Sequence, residues 1–106
     1  MILLGRDLSP FVRRSATLLN ILGISYERKI VATAEDTDLI RKYNPLGRVP
    51  ALILAHDVIV DSHAIVDFAL ETAGYPENVL PGSGEGRRAV LKLVAVATGV
   101  MEKSVT

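Results

Sequence analysis

Two short segments of the chain combine a hydroxyl side chain with the predicted start of a helix. Ser9 precedes Pro10, a pair typical of a helix N-terminus with serine as the N-cap and proline at the first helical position. Asp61 and Ser62 precede another helix-forming stretch, later in the chain, where Ser62 is the expected N-cap. The N-terminus of a helix carries free N–H groups and a partial positive charge, which stabilise an anion. A hydroxyl there can also donate a hydrogen bond to a thiolate or an oxyanion.

These features also have a purely structural interpretation. Ser9 as an N-cap would stabilise its helix by about 1 kcal/mol without any chemical role. The functional alternative for the second segment places a ligand carboxylate on the hydroxyl and N–H of Ser62, while Asp61 binds an ammonium group. The two interpretations of Ser62 are compatible, because the backbone N–H of a capping residue remains free.

Val49 and Pro50 open a predicted strand. Proline is tolerated at the first residue of a strand, so it can simply mark the edge of that strand. The alternative is a cis peptide bond that exposes the N–H and C=O of Val49 to an extended peptide ligand. Cis X-Pro bonds are uncommon, so the residues alone do not favour this alternative.

The histidines and the first arginine pair are weaker candidates. His56 and His63 lack the spacing of metal ligands on one helix face, and no carboxylate cluster joins them, so no metal site is predicted. Arg13 and Arg14 follow the opening turn of the first helix, and such pairs are usually a solvated face. They could still raise the electrostatic potential near Ser9.

The elements that must position these residues have the predicted order β-α-β-α-β-β-α over residues 1–74. Apolar runs and alternation predict strands at Ile2–Leu4, Ser25–Val31, Ala51–Ala55 and Val58–Val60. Helical spacing and turn residues predict helices from Pro10 to Leu22, over Asp36–Tyr43 and over Ser62–Ala73.

A further helix is predicted over Arg87–Lys103, after a segment rich in glycine and proline. Its apolar residues cover nearly the whole circumference, and such a helix is expected to be buried on several sides. Little sequence remains to cover it. The expectation is that the chain is a fragment of a longer protein or relies on a partner subunit.

Composition excludes several classes of protein. The chain has 106 residues, of which 49% are hydrophobic, so it can build one ordinary core. Twelve Lys and Arg balance twelve Asp and Glu, which argues against a nucleic-acid or anionic-membrane binder. The absence of cysteine excludes a disulfide framework and a thiolate nucleophile of its own. With no targeting signal and no spanning segment, a soluble cytoplasmic protein is expected.

In their order and spacing, these segments resemble the glutathione S-transferase family. The resemblance rests on Ser9-Pro-Phe after the first strand, on the run from Asn44 to Leu52, and on Asp61-Ser-His-Ala-Ile opening the third helix. It implies an α/β fold, a thioredoxin-like βαβαββα sandwich with a four-stranded mixed sheet over residues 1–75. A linker over 76–86 would lead to the first helix of an all-α C-terminal domain, over 87–106.

The resemblance also implies a role for each segment. Ser9 lies where serine-type members hold a catalytic hydroxyl. Val49, before a cis Pro50, would pair its backbone with the cysteinyl unit of glutathione. Asp61 and Ser62 would bind the γ-glutamyl end. Glutathione would be a co-substrate, its thiol would attack a small electrophile without any metal, and the protein would be a homodimer.

Two alternatives share this site. One is a non-catalytic binding or scaffold module with the transferase fold. The other is a glutathione-dependent isomerase, dehalogenase or peroxidase. Dithiol chemistry is excluded, because the positions of a Cys-x-x-Cys motif hold Ser9 and Val12.

Overall fold

The computed structural model describes residues 1–32 and 34–104. These residues form two compact units, one spanning Met1–Ala69 and a second that begins at Leu70. The strands are β1 (Ile2–Leu4), β2 (Glu27–Lys29), β3 (Ala51–Ile53) and β4 (Val58–Val60). The helices are α1 (Pro10–Ile21), α2 (Thr37–Tyr43), α3 (Ser62–Thr72) and α4 (Gly84–Ser104). The predicted order β-α-β-α-β-β-α is confirmed.

The four strands form one mixed sheet in the order β2-β1-β3-β4. Strand β1 pairs with β2 in parallel and with β3 in antiparallel orientation, and β3 pairs with β4 in antiparallel orientation. This sheet and its helices agree with the predicted thioredoxin-like architecture.

Helices cover both faces of the sheet, and the alternation of strand side chains separates two apolar clusters. Leu3 and Leu52 point to the face covered by α1 and α3. The larger cluster on that face consists of Leu3, Val12, Ala16, Leu19, Leu52, Ile65 and Ala69, all buried. Leu4 and Ala51 point to the opposite face and pack with Val31 and with Ile40 of α2.

Some predicted boundaries were wrong. Strand β2 is shorter than the predicted Ser25–Val31, because it is an edge strand that pairs only with the three residues of β1. Helix α4 begins at Gly84 rather than Arg87 and so includes residues 84–86 of the predicted linker.

The apolar residues of α4 are largely exposed. Leu93, Val96 and Val100 are 70%, 61% and 63% exposed, whereas Thr98 is buried. The described residues therefore leave much of the apolar surface of this helix uncovered, as expected of a chain with little sequence to cover it. None of the described helices is both long enough and apolar enough to span a membrane.

Candidate functional site

The register of the sheet brings the predicted site segments to one edge of the sheet, where β1 and β4 end and β3 begins. Leu4 at the end of β1 lies opposite Ala51 at the start of β3, and Ala51 lies opposite Val60 at the end of β4. The segment leading to Ser9, the Val49-Pro50 segment and the Asp61-Ser62 segment therefore all leave the sheet at the same edge.

Ser9 is the N-cap of α1, as predicted. Its backbone is extended (φ −78°, ψ 124°), Pro10 is the first helical residue, and its Oγ accepts a hydrogen bond from the N–H of Val12 at 3.3 Å. The hydroxyl thus acts only as an acceptor in the cap. Among the described residues its proton has no acceptor, so it can be donated to a bound group.

Gly5 permits a close approach at the same edge. It follows β1 with a φ of +134°, and a Cβ added there would lie 2.5 Å from Cγ2 of Val12 and 3.2 Å from Cβ of Val49. The lack of a side chain therefore lets the end of β1, the first turn of α1 and the residue before Pro50 pack together.

Replacing Gly5 with alanine is expected to destabilise the chain by about 1–3 kcal/mol, because the methyl group overpacks this contact and the φ disfavours any side chain. Urea unfolding followed by circular dichroism measures the change. Gly99→Ala is the matched control: it lies within α4, a Cβ there meets no atom within 4 Å, and a gain of about 0.5–1 kcal/mol is expected. An unchanged unfolding midpoint in Gly5→Ala would contradict the packing argument.

Arg28 of β2 fixes the segment that leads to Ser9. Its Nη2 donates a hydrogen bond to the C=O of Gly5 at 2.9 Å, and its Nη1 forms an ion pair with Asp7 at 2.9 Å. Sequence reasoning missed this residue, because a charged residue on an edge strand normally faces solvent.

The peptide bond between Val49 and Pro50 is cis, as the family resemblance implies. The preceding turn is held by Asn44, which is only 3% exposed: its amide donates to the C=O of Arg48 at 3.1 Å and accepts from the N–H of Leu46 at 3.0 Å. Within the described residues, the N–H and C=O of Val49 have no hydrogen-bond partner. An extended ligand can therefore pair with them.

Asp61, not Ser62, caps α3. Its carboxylate accepts a hydrogen bond from the N–H of His63 at 2.9 Å, and its C=O accepts from the N–H of Ile65 at 3.1 Å. Ser62 is thus the first helical residue, which corrects the prediction that it is the N-cap. Asp61 has a φ of +77°. Such a conformation is uncommon for a residue with a side chain, although Asp tolerates it better than most, and residues in it recur at functional sites.

Ser62 is buried and faces α1. Its Oγ accepts a hydrogen bond from Nη1 of Arg14 at 3.1 Å, and the same nitrogen lies 3.1 Å from Nδ1 of His63. Burial lowers the pKa of Arg14 below its ordinary value, while the negative charge of Asp61 opposes this shift. Of the two arginines of this pair, Arg13 is exposed, as is usual for such pairs, whereas Arg14 is half-buried.

Together these segments present three kinds of ligand contact at one sheet edge. Ser9 offers a hydroxyl proton at a helix N-terminus, Val49 offers a backbone donor and acceptor, and Asp61 offers a carboxylate beside the N-terminus of α3. A short extended peptide with a nucleophilic or anionic centre and an amino-acid end fits this arrangement.

The comparisons with known proteins agree with this architecture. The family model for the glutathione S-transferase N-terminal domain matches residues 3–78. The uncharacterized GST-like protein YibF of Escherichia coli is 31% identical over 103 residues, covering 96% of this chain and 50% of that protein.

Two solved structures are similar to the chain. A glutathione transferase family member from Pseudomonas fluorescens with bound glutathione superposes with a TM-score of 0.80 at 30% identity, covering 98% of this chain and 53% of that one. A bacterial zeta-class maleyl pyruvate isomerase superposes with a TM-score of 0.81 at 30% identity, covering 91% of this chain and 46% of that one.

The chain belongs to the glutathione S-transferase family, and it contains the family's thioredoxin-like N-terminal domain. It spans about half the length of the Escherichia coli relative and less of the plant relatives, 32% of an Arabidopsis thaliana transferase and 29% of a Euphorbia esula one.

Proposed function

We propose that this chain binds glutathione and activates its thiol for attack on a small electrophile. One observation carries the proposal: a hydroxyl with an unused proton caps α1 at the same sheet edge as the unpaired backbone of Val49 and the N-terminus of α3. The similar Pseudomonas fluorescens structure, which holds glutathione, supports the choice of ligand.

Each segment has a proposed task. Val49 pairs its N–H and C=O with the cysteinyl unit of the peptide, next to the cis bond to Pro50. The carboxylate of the γ-glutamyl end binds at Ser62, and its ammonium group binds Asp61. Ser62 contributes its backbone N–H and its hydroxyl proton, because its Oγ acts only as an acceptor towards Arg14.

Ser9 is the proposed catalytic residue. A free thiol has a pKa near 8.5, so only a few per cent is thiolate at neutral pH. A hydrogen bond from Ser9 and the positive end of α1 both favour the charged form and therefore lower the pKa of the bound thiol. The thiolate then donates its electron pair to an electrophilic carbon, a sulfur–carbon bond forms, and the leaving group departs with its own electron pair.

In this proposal, residues 1–75 provide the glutathione-binding domain. A homodimer is part of the same proposal and rests on the resemblance to the family alone.

A second candidate function is glutathione-dependent isomerisation at the same site. It is favoured by the similarity to the zeta-class maleyl pyruvate isomerase. In an isomerisation the thiolate adds to the substrate and is later released, so glutathione is regenerated, whereas a transferase consumes it as a conjugate. Measuring glutathione before and after turnover separates the two.

Titration calorimetry of the folded chain with reduced glutathione tests the proposal directly. We expect saturable binding at one site per chain. The matched control ligand is Glu-Cys-Gly with an ordinary α-peptide bond, which lacks the γ-linked amino-acid end and is expected to bind more weakly. A chain that is folded by circular dichroism yet binds neither peptide, or binds both equally, would contradict the proposed site.

A further inference from the structure

His63 is the residue of this region to which neither the fold nor the proposed chemistry assigns a task. It lies in the first turn of α3, beside Ser62, with its side chain exposed. Its Nδ1 is 3.1 Å from Nη1 of Arg14, a residue 49 positions earlier in the chain. The contact therefore joins α1 to the start of α3.

The hydrogen-bonding chemistry of arginine determines which protonation state and tautomer of the imidazole can form this contact. A guanidinium can only donate hydrogen bonds, so Nδ1 of His63 must be the acceptor. In such a hydrogen bond the ring would be neutral, with its proton on Nε2. A protonated ring would carry a donor on Nδ1 and would face Arg14 with a like charge.

The same Arg14 nitrogen also donates to Oγ of Ser62, at 3.1 Å. Ser62 is only 3% exposed, so its position depends on what it contacts inside the protein. Loss of the contact to His63 would shift the shared donor and, with it, the residue that begins α3. Burial of Arg14 strengthens this dependence, because a desolvated guanidinium needs its acceptors.

We propose that His63 is a positioning residue whose neutral ring holds Arg14 against Ser62, so that protonation of His63 weakens binding of the γ-glutamyl end. The inference rests on the proposed glutathione site. Histidine is the side chain that ordinarily changes charge between pH 5 and 8, so the effect falls in an accessible range.

Other charges face His63 and must be considered. Arg14 of α1 opposes protonation, whereas the carboxylate of Asp61, which accepts from the N–H of His63, favours it. Asp67 lies four residues further along α3 and also favours the charged ring. Protonation removes Nδ1 of His63 as an acceptor for Arg14, and neither carboxylate can restore that acceptor.

The test measures binding of S-methylglutathione by calorimetry between about pH 5.5 and 7.0, where this thiol-free probe keeps its charge. If the neutral and protonated rings differ about tenfold in affinity, the Kd should rise towards the lower end of this range, by at most that factor. His63→Asn provides an acceptor near the position of Nδ1 but cannot be protonated. We expect it to bind at pH 7.0 as the original chain does and to lose the pH dependence.

The chain contains two histidines, which supplies a matched control. His56 lies between β3 and β4 and is exposed, so His56→Asn should keep the full pH dependence. That variant also has a single imidazole, whose nitrogen chemical shifts report the tautomer without any ligand. We expect the proton of the neutral ring on Nε2.

The outcomes distinguish the two proposals. A neutral ring protonated on Nδ1 would overturn the inference about His63 and leave the glutathione site intact. Unchanged pH dependence in His63→Asn would do the same. Failure of the folded chain to bind the probe at any pH would overturn the proposed function, and the role of His63 in binding with it.

Discussion

Replacing Ser9 with alanine is expected to raise the pKa of the bound glutathione thiol by about 1–2 units. A hydrogen bond to a charged group contributes about 1.5–3 kcal/mol, and one pKa unit corresponds to about 1.4 kcal/mol. If loss of the donor returns the pKa to that of a free thiol, near 8.5, the thiolate fraction at pH 7 falls from about 25–75% to about 3%, a reduction of about eight- to twenty-fivefold. Ultraviolet absorbance of the thiolate, titrated against pH with saturating glutathione, measures this shift without an electrophile.

Two further substitutions separate the hydroxyl from the helix cap. Ser9→Gly removes the hydroxyl but retains a tolerable N-cap, so it should reproduce the pKa of Ser9→Ala with a smaller loss of stability. Ser9→Thr keeps the hydroxyl and should keep the low pKa. If Ser9→Ala bound glutathione with an unshifted thiol pKa, the hydroxyl would not be the donor.

The second large effect is expected at Asp61, where Asp61→Asn should weaken glutathione binding by about ten- to thirtyfold. Asparagine caps a helix as well as aspartate does and tolerates a positive φ, so the backbone of the turn should be preserved. The substitution removes only the negative charge that would bind the ammonium group, a charge-assisted contact. Titration calorimetry measures the change in Kd.

Asp61→Ala is expected to add a structural defect to the same loss. It removes the hydrogen bond to the N–H of His63, and alanine lacks the short polar side chain by which Asp and Asn tolerate a φ of +77°, so the chain should lose about 1–2 kcal/mol of stability. Comparing Asp61→Asn with Asp61→Ala separates the effect of the negative charge on binding from the effect of the backbone turn. Equal affinity in Asp61→Asn and the original chain would exclude an ionic role for Asp61.

Local signals in the sequence were enough to predict the elements and their order. The Ser9-Pro10 pair gave the correct N-cap of α1, because both residue types act on the backbone immediately beside them. The cap of α3 was misassigned because Asp61 and Ser62 are both good capping residues. The point at which the helix begins decides between them: Ser62 is already helical, and the carboxylate of Asp61 accepts from the N–H of His63.

The residues that support the site could not be predicted, because their partners are distant in the sequence. Arg13 and Arg14 are the same residue type, and Arg14 is half-buried because it contacts Ser62 and His63, which lie 48 and 49 residues further along the chain. Arg28 likewise depends on Gly5 and Asp7, across the parallel pairing of β1 with β2. Asn44 acts within its own turn, and the Asn-Pro-Leu-Gly pattern was the signal that could have identified it.

The convergence of three segments on one sheet edge has a thermodynamic consequence. Residues 9, 49 and 61 are far apart along the chain and become neighbours only when β1, β3 and β4 are paired. A ligand that needs all three therefore binds the native state and has no comparable affinity for the unfolded chain. By mass action such a ligand stabilises the fold, by about 2.7 kcal/mol at a hundred times its Kd. Under the proposed function, the concentration of glutathione would thus affect both the occupancy of the site and the free energy of unfolding of the chain.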